Sequence, residues 1–278
     1  MNPTAPAGTD TATRHHRGHA LVPEDIQQGN ARCPEQARDY VLSLGDDSLI
    51  LAQRLGWWIS RAPEMEEDIA LGNIALDLIG HARFFLSYAG TARGETEDDL
   101  AYFRDEEEFL SCRLVEQDNG DFAHTIARQL FFSCYAHGLY TRLSQSSDTT
   151  VAAIARKATK EVDYHVDHCS QWLLRLGLGT DKSHTKMQKA LDYLWPYLGE
   201  MFEDLPMHDK AGDIAVAPSS LKEQFLERTA AIITAAGLTV PTVPFARSGQ
   251  RTGRYSEHRG YILAEMQVLA RQYPGATW

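Results

Sequence analysis

The chain has 278 residues, with 27 Lys and Arg against 38 Asp and Glu, a formal net charge of −11. Apolar residues make up 43% of it, enough to bury a sizeable core. The acidic balance excludes the basic stripe of a nucleic-acid binder and the polybasic patch of a membrane-surface protein.

No apolar run approaches the roughly 18–20 residues that a transmembrane helix needs; the longest candidate lies around Ala230–Leu238. The N-terminus lacks the charged-then-apolar layout of a secretory signal. Cys33, Cys112, Cys134 and Cys169 lie far apart with no C-x-x-C. A disulfide framework is therefore not expected, and a cytoplasmic location is.

Residues 1–34 read as a disordered tail, rich in Pro, Gly, Thr and Ala. Its His15, His16 and His19 have no neighbouring cluster to complete a metal site. From Pro34 the pattern turns helical. Val41, Leu44, Ser48, Leu51, Leu55 and Trp58 recur at helical spacing and form one seam. Beyond Pro63, Glu64, Glu66, Glu67 and Asp68 crowd the start of a second helix, where acids complement the helix dipole. Its seam is Leu71, Ile74, Leu78, His81, Phe85 and Tyr88, and Gly90 and Gly94 stop it. Acidic runs at 95–99 and 105–108 bracket a short helical stretch and read as solvated faces.

A third helix is predicted over about Asp121–Gln145, with the seam Phe122, Ile126, Gln129, Ser133, His137 and Tyr140. A fourth follows the Asp148 cap, with Ala155, Ala158, Val162, His165, Cys169 and Trp172 inward. Pro196 predicts a kink within a fifth helix over about Lys182–Phe202. A shorter helix follows Pro218, residues 237–256 read as an extended connector, and a last helix covers about Ser256–Tyr273. No alternating strand pattern occurs. The fold class is all-α: a four-helix bundle with additional C-terminal helices.

Core seams should be apolar, so their polar interruptions carry information. They are Ser48, His81, Gln129, Ser133, His137 and His165. An inward polar group on each helix is similar to the layout of ferritin-like di-metal carboxylate bundles. There, two helices each give one carboxylate and two each give Glu-x-x-His. Here each His survives while its carboxylate does not, in Leu78-Ile79-Gly80-His81 and Val162-Asp163-Tyr164-His165. The other two helices offer Ser48 and Ser133. An iron pair needs anionic ligands to balance roughly four positive charges in a low-dielectric core.

Ser48, Leu78, His81, Ser133, Val162 and His165 are therefore read as vestigial ligand positions. No catalytic residue, cofactor or metal is expected on this chain. Asp77 and Glu161 lie one residue before Leu78 and Val162, turned about 100° off the seam. At i, i+4 each is expected to hydrogen-bond the histidine of its own helix, His81 and His165 respectively. Cys169 reads as a small core residue and His168 as a surface or interface position. An independent metalloenzyme using His81, His165, Asp77 and Glu161 in an altered register is the alternative, and a free-standing helical binding module is a third reading. No G-x-S-x-G, Walker loop or dinucleotide fingerprint appears.

Residues 46–90 (DDSLILAQRLGWWISRAPEMEEDIALGNIALDLIGHARFFLSYAG) resemble the C subunits of the ring-1,2-phenylacetyl-CoA epoxidases. So do residues 115–129 (VEQDNGDFAHTIARQ), 160–165 (KEVDYH) and 264–278 (AEMQVLARQYPGATW). The resemblance covers about residues 40–278. It implies a ferritin-like domain over 35–278, with the core bundle at about 36–178 and C-terminal helices at about 181–273. It also implies a structural, non-catalytic subunit of a multicomponent monooxygenase of aerobic phenylacetate breakdown. A homologous A subunit would carry the di-iron site, a small B subunit would bridge such pairs, and a reductase would supply electrons from NADPH. The A subunit's carboxylates correspond to Ser48, Leu78, Ser133 and Val162 here. Family members often have Gln in place of His81 and Asp in place of Ser133. Trp57, Trp58, Phe84 and Phe85 are aromatic candidates either for the subunit interface or for bundle core.

Overall fold

The computed structural model describes residues 22–251 and 254–276. Residues 1–21 of the expected tail, with His15, His16 and His19, lie outside them. The rest of that tail departs from expectation. Pro23–Gln28 forms α1, with Pro at its first position, and buries Ile26 against the bundle.

The bundle is made of α2 (Arg38–Gly56), α3 (Met65–Gly90), α6 (Phe122–Leu143) and α7 (Thr149–Gly177). α2 packs along α3, and α6 along α7. At Gly45 the α2 backbone comes so close to α3 that a Cβ would sit 2.8 Å from Leu86 Cδ2. Asp121 caps α6 through the His124 amide, and Asp148 caps α7 through the amides of Thr150 and Val151. Two short helices, α4 (Glu97–Tyr102) and α5 (Arg113–Glu116), lie in the crossover between the two hairpins.

The C-terminal elements cover one side of the bundle. α8 (Asp181–Leu194) packs on α6 and α7. At Pro196 the chain tightens into a 3-10 segment, Trp195–Phe202, because Pro lacks the amide that an α-helix needs there. α9 (Pro206–Ala211) lies on α2, α10 (Lys222–Ala235) on α6 and α7, and α11 (His258–Gln272) on α2, α4 and α5. This layering explains the burial pattern. α2 has 14 buried residues of 19 and α6 has 16 of 22, whereas α7 has 11 of 29. α2 and α6 lie between the bundle core and the C-terminal layer; α3 and α7 keep an open face.

No strand occurs among the described residues, and the fold is all-α and ferritin-like. α3 corrects the expectation about apolar runs. Its 26 residues are, by length and composition, long and apolar enough to cross a bilayer. Half of its most apolar stretch is packed inside the bundle, as in a core helix.

Candidate functional site

The six positions singled out in the sequence are all buried: Ser48, Leu78, His81, Ser133, Val162 and His165. The His81 and His165 rings lie 6.4 Å apart, and Tyr140 stands edge-on to His81 at 5.7 Å. Ser48 Oγ donates to the Leu44 carbonyl at 3.1 Å, and Gln129 Nε2 donates to Ser133 Oγ at 3.0 Å. The Ser48 hydroxyl and the Gln129 amide nitrogen thus find acceptors one helical turn away, while Gln129 Oε1 is buried with no partner among the described residues.

The histidines find partners differently from the sequence expectation. His81 on α3 pairs with Glu161 on α7 at 2.7 Å, and His165 on α7 pairs with Asp77 on α3 at 3.0 Å. The pairs are crossed between helices rather than closed within one. One residue of offset turns Asp77 and Glu161 into the groove between α3 and α7. There each meets the histidine of the facing helix. His168 extends the ladder by pairing with Glu67 at 2.8 Å, so it belongs to this seam rather than to the surface. The pairing order 67–168, 77–165 and 81–161 makes α3 and α7 antiparallel. Glu67 is buried under His168, so its position at a helix start does not account for it alone. His137 lies at the edge of the bundle rather than in its seam, against Asp163 at 2.9 Å.

Burial pushes the His81 pKa below its ordinary value, and the hydrogen bond to Glu161 only partly offsets this. The neutral ring donates from Nε2 to the Glu161 carboxylate, which leaves Nδ1 a bare acceptor. Among the described residues, His81 Nδ1 is buried without a hydrogen-bond partner. A proton there would sit buried and unpaired, which adds to the cost of the charged form. Burial works against the Glu161 carboxylate too, but the His81 hydrogen bond, with Lys157 at 3.3 Å, holds its pKa below the usual value.

A metal-ligating histidine donates its other ring N–H to a carboxylate that orients it. The crossed pairs supply that outer arrangement. The inner donors are a different matter. Leu78 and Val162 offer no donor, and Ser48 and Ser133 offer neutral hydroxyls. The carboxylates of Asp77 and Glu161 are engaged at the partly exposed edge. Among the described residues, no group of three or more His, Cys, Asp or Glu side chains is placed to hold a metal ion. This donor set does not fit a pair of irons, whose roughly four positive charges would meet no carboxylate at Ser48, Leu78, Ser133 or Val162. The altered-register reading needs Asp77 and Glu161 to face the core; both stand at its partly exposed edge, bonded to His165 and His81 respectively.

The sequence reading missed a second set of acids. Asp46 and Asp47, next to Ser48 in α2, are buried. Asp46 accepts two hydrogen bonds from the Arg104 guanidinium and one from the Leu110 amide. Asp47 accepts from Arg251 at 2.9 Å and from the Cys112 amide at 2.7 Å. Glu116 holds Arg259, and Glu200 holds the side chain of Arg113 and the amide of Arg251. Through Arg251 and Arg259 these acids tie the C-terminal connector and α11 to the bundle. An acidic pair flanked by apolar residues on every face of α2 was the available signal.

The remaining candidates resolve simply. Cys169 is buried and its thiol pKa is pushed well up, consistent with a core residue. Trp58, Phe84 and Phe85 are core, and Trp58 Nε1 donates to Thr125 Oγ1 at 2.9 Å; Trp57 is exposed.

The chain matches the family model described as "Phenylacetic acid catabolic protein" over residues 19–278. It is 47% identical over 248 residues to the C subunit of the 1,2-phenylacetyl-CoA epoxidase of Escherichia coli strain K12, an alignment covering 87% of this chain and 99% of that protein.

Proposed function

The chain belongs to the phenylacetic acid catabolic protein family, and from that premise we propose that it is the structural, non-catalytic subunit of a phenylacetyl-CoA epoxidase in aerobic phenylacetate catabolism. One observation carries the non-catalytic part. The positions for interior carboxylates hold Ser48, Leu78, Ser133 and Val162, while His81 and His165 stay pinned by acids of the opposite helix. On this reading the bundle keeps the histidines and their outer carboxylates but has no carboxylate at the four inner positions.

In this reading the di-iron centre belongs to a homologous catalytic subunit, which this chain stabilises by pairing with it. A small bridging subunit joins such pairs, and an NADPH-dependent reductase acts through the assembly. Neither nucleic acid nor a membrane is a partner, and the location is cytoplasmic. The chemistry left to this chain is positional. Its buried His–carboxylate and Arg–carboxylate pairs fix the relative placement of helices, which holds the face offered to the partner.

The test is reconstitution with phenylacetyl-CoA, NADPH and the reductase. The account expects epoxide formation only when the catalytic subunit is present, and none from this chain with the reductase alone. Turnover by this chain alone overturns it.

A further inference from the structure

The open face of α3 is more apolar than contact with water requires. Met65, Ile69, Leu76 and Ile79 are 77%, 59%, 65% and 39% exposed. Their spacings of 4, 7 and 3 residues put them on one face of the helix. Gly72 and Gly80 fall on the same side, two turns apart, and a Cβ at either would meet nothing within 4 Å. The stripe spans about 21 Å at 1.5 Å per residue. Scattered exposed apolar residues are ordinary, but a continuous stripe marks an interaction surface. Its shape is that of a helix seat: apolar knobs alternate with points where a second backbone can come close.

The charges at its ends say what can lie there. Glu64, Glu66 and Asp68 stand at the start of α3. At the other end the Arg83 guanidinium is already held by Glu97 and Glu24, each at 2.8 Å. A second copy laid antiparallel would bring its acids against that occupied arginine and its two carboxylates. A parallel copy would set acids on acids. Both copies would also carry the formal charge of −11. The face therefore disfavours self-pairing and suits an apolar helix with basic side chains opposite Glu64, Glu66 and Asp68.

We propose that the α3 stripe of Met65, Ile69, Leu76 and Ile79, with Gly72 and Gly80 as points of close approach, seats an apolar helix of the paralogous catalytic subunit. This inference rests on the subunit reading above. It assigns the pairing surface to α3 rather than to the Trp57–Trp58 and Phe84–Phe85 aromatics, three of which are core.

The experiment co-expresses the full chain with the tagged paralogous subunit that has intact Glu-x-x-His motifs. Leu76→Glu and Glu66→Lys are compared with Leu178→Glu, which changes an exposed leucine just past the C-terminal end of α7, outside the stripe. Helicity and Tm of each isolated chain are measured alongside. The proposal expects the wild type and Leu178→Glu to co-elute with the partner. Leu76→Glu should weaken binding at least about tenfold and Glu66→Lys at least about threefold, with helicity and Tm unchanged. If the wild type co-elutes and Leu76→Glu binds equally well, the assigned face is wrong and the subunit reading stands. If the wild type does not bind the paralogue, the subunit reading fails and this inference fails with it. A self-dimer of the isolated chain that Leu76→Glu breaks overturns the choice of occupant.

Discussion

His81 on α3 and Glu161 on α7 hold each other at 2.7 Å across the helix groove, while Asp77, on the same helix as His81, serves His165 instead. The crossing makes a definite energetic statement. A double-mutant cycle on His81→Gln and Glu161→Gln should return a coupling of about 1–2 kcal/mol, the range for a hydrogen bond to a partly exposed charged group. The His81–Asp77 cycle should return less than about 0.5 kcal/mol. Chemical denaturation of the four proteins in each cycle measures both. A larger coupling within α3 than across the groove would contradict the crossed geometry.

Stability should fall on mild acidification. His81 has an ordinary pKa of 6.5 that is lowered in the folded chain, so below about pH 6.5 the unfolded state binds a proton that the native state resists. Stability is full above pH 6.5 and declines as the pH drops towards the folded pKa. Glu161, ordinarily 4.5 and lowered in the fold, adds a further loss as the pH falls below that value. Urea midpoints between pH 7.5 and 4 check this. His81→Gln should flatten the upper part of the decline and leave the lower part.

The buried pair of Asp47 and Arg251 should be among the costliest to break. Asp47→Ala strands a guanidinium in the core and should destabilise by about 3–5 kcal/mol. Arg251 also occupies the left-handed region, at φ 56°, which only its fixed contacts maintain. Hydrogen exchange should then speed up first in residues 245–251 and the start of α11. Uniform destabilisation with unchanged relative protection in that segment would show that Arg251 does not fasten it.

Returning the missing anions should expose what the bundle lacks. Leu78→Glu alone buries a carboxylate among apolar neighbours and should cost about 2–4 kcal/mol. The quadruple variant Ser48→Glu, Leu78→Glu, Ser133→Glu, Val162→Glu should be less stable without metal, and its Tm should rise when ferrous iron is added anaerobically. The wild-type Tm should not move. A variant that ignores iron would show that the ligand register has drifted as well as its residue types.

Much of the fold was legible in the sequence. Helical spacing gave the four bundle helices and their seams, Pro196 marked the change from α8 to a 3-10 turn, and the seam histidines stood out as interruptions. Partnership was less legible. Asp77 is as close in sequence to His81 as an i, i+4 rule could ask, yet the bond goes to α7, because side-chain direction across a groove is a tertiary property. The acids Asp47, Glu116 and Glu200 escaped for the same reason. Their arginine partners, Arg251, Arg259 and Arg113, are 87 to 204 residues away. α1 escaped because a six-residue helix has too short a period to read.

The central claim is that this chain keeps a ferritin-like bundle without an iron site of its own. Iron measured per chain, after anaerobic ferrous loading and gel filtration of the isolated protein and of its complex with the paralogue, tests it most directly. The account predicts near-zero iron on the isolated chain and about two irons per complex, all assigned to the partner. About two irons on the isolated chain would contradict it.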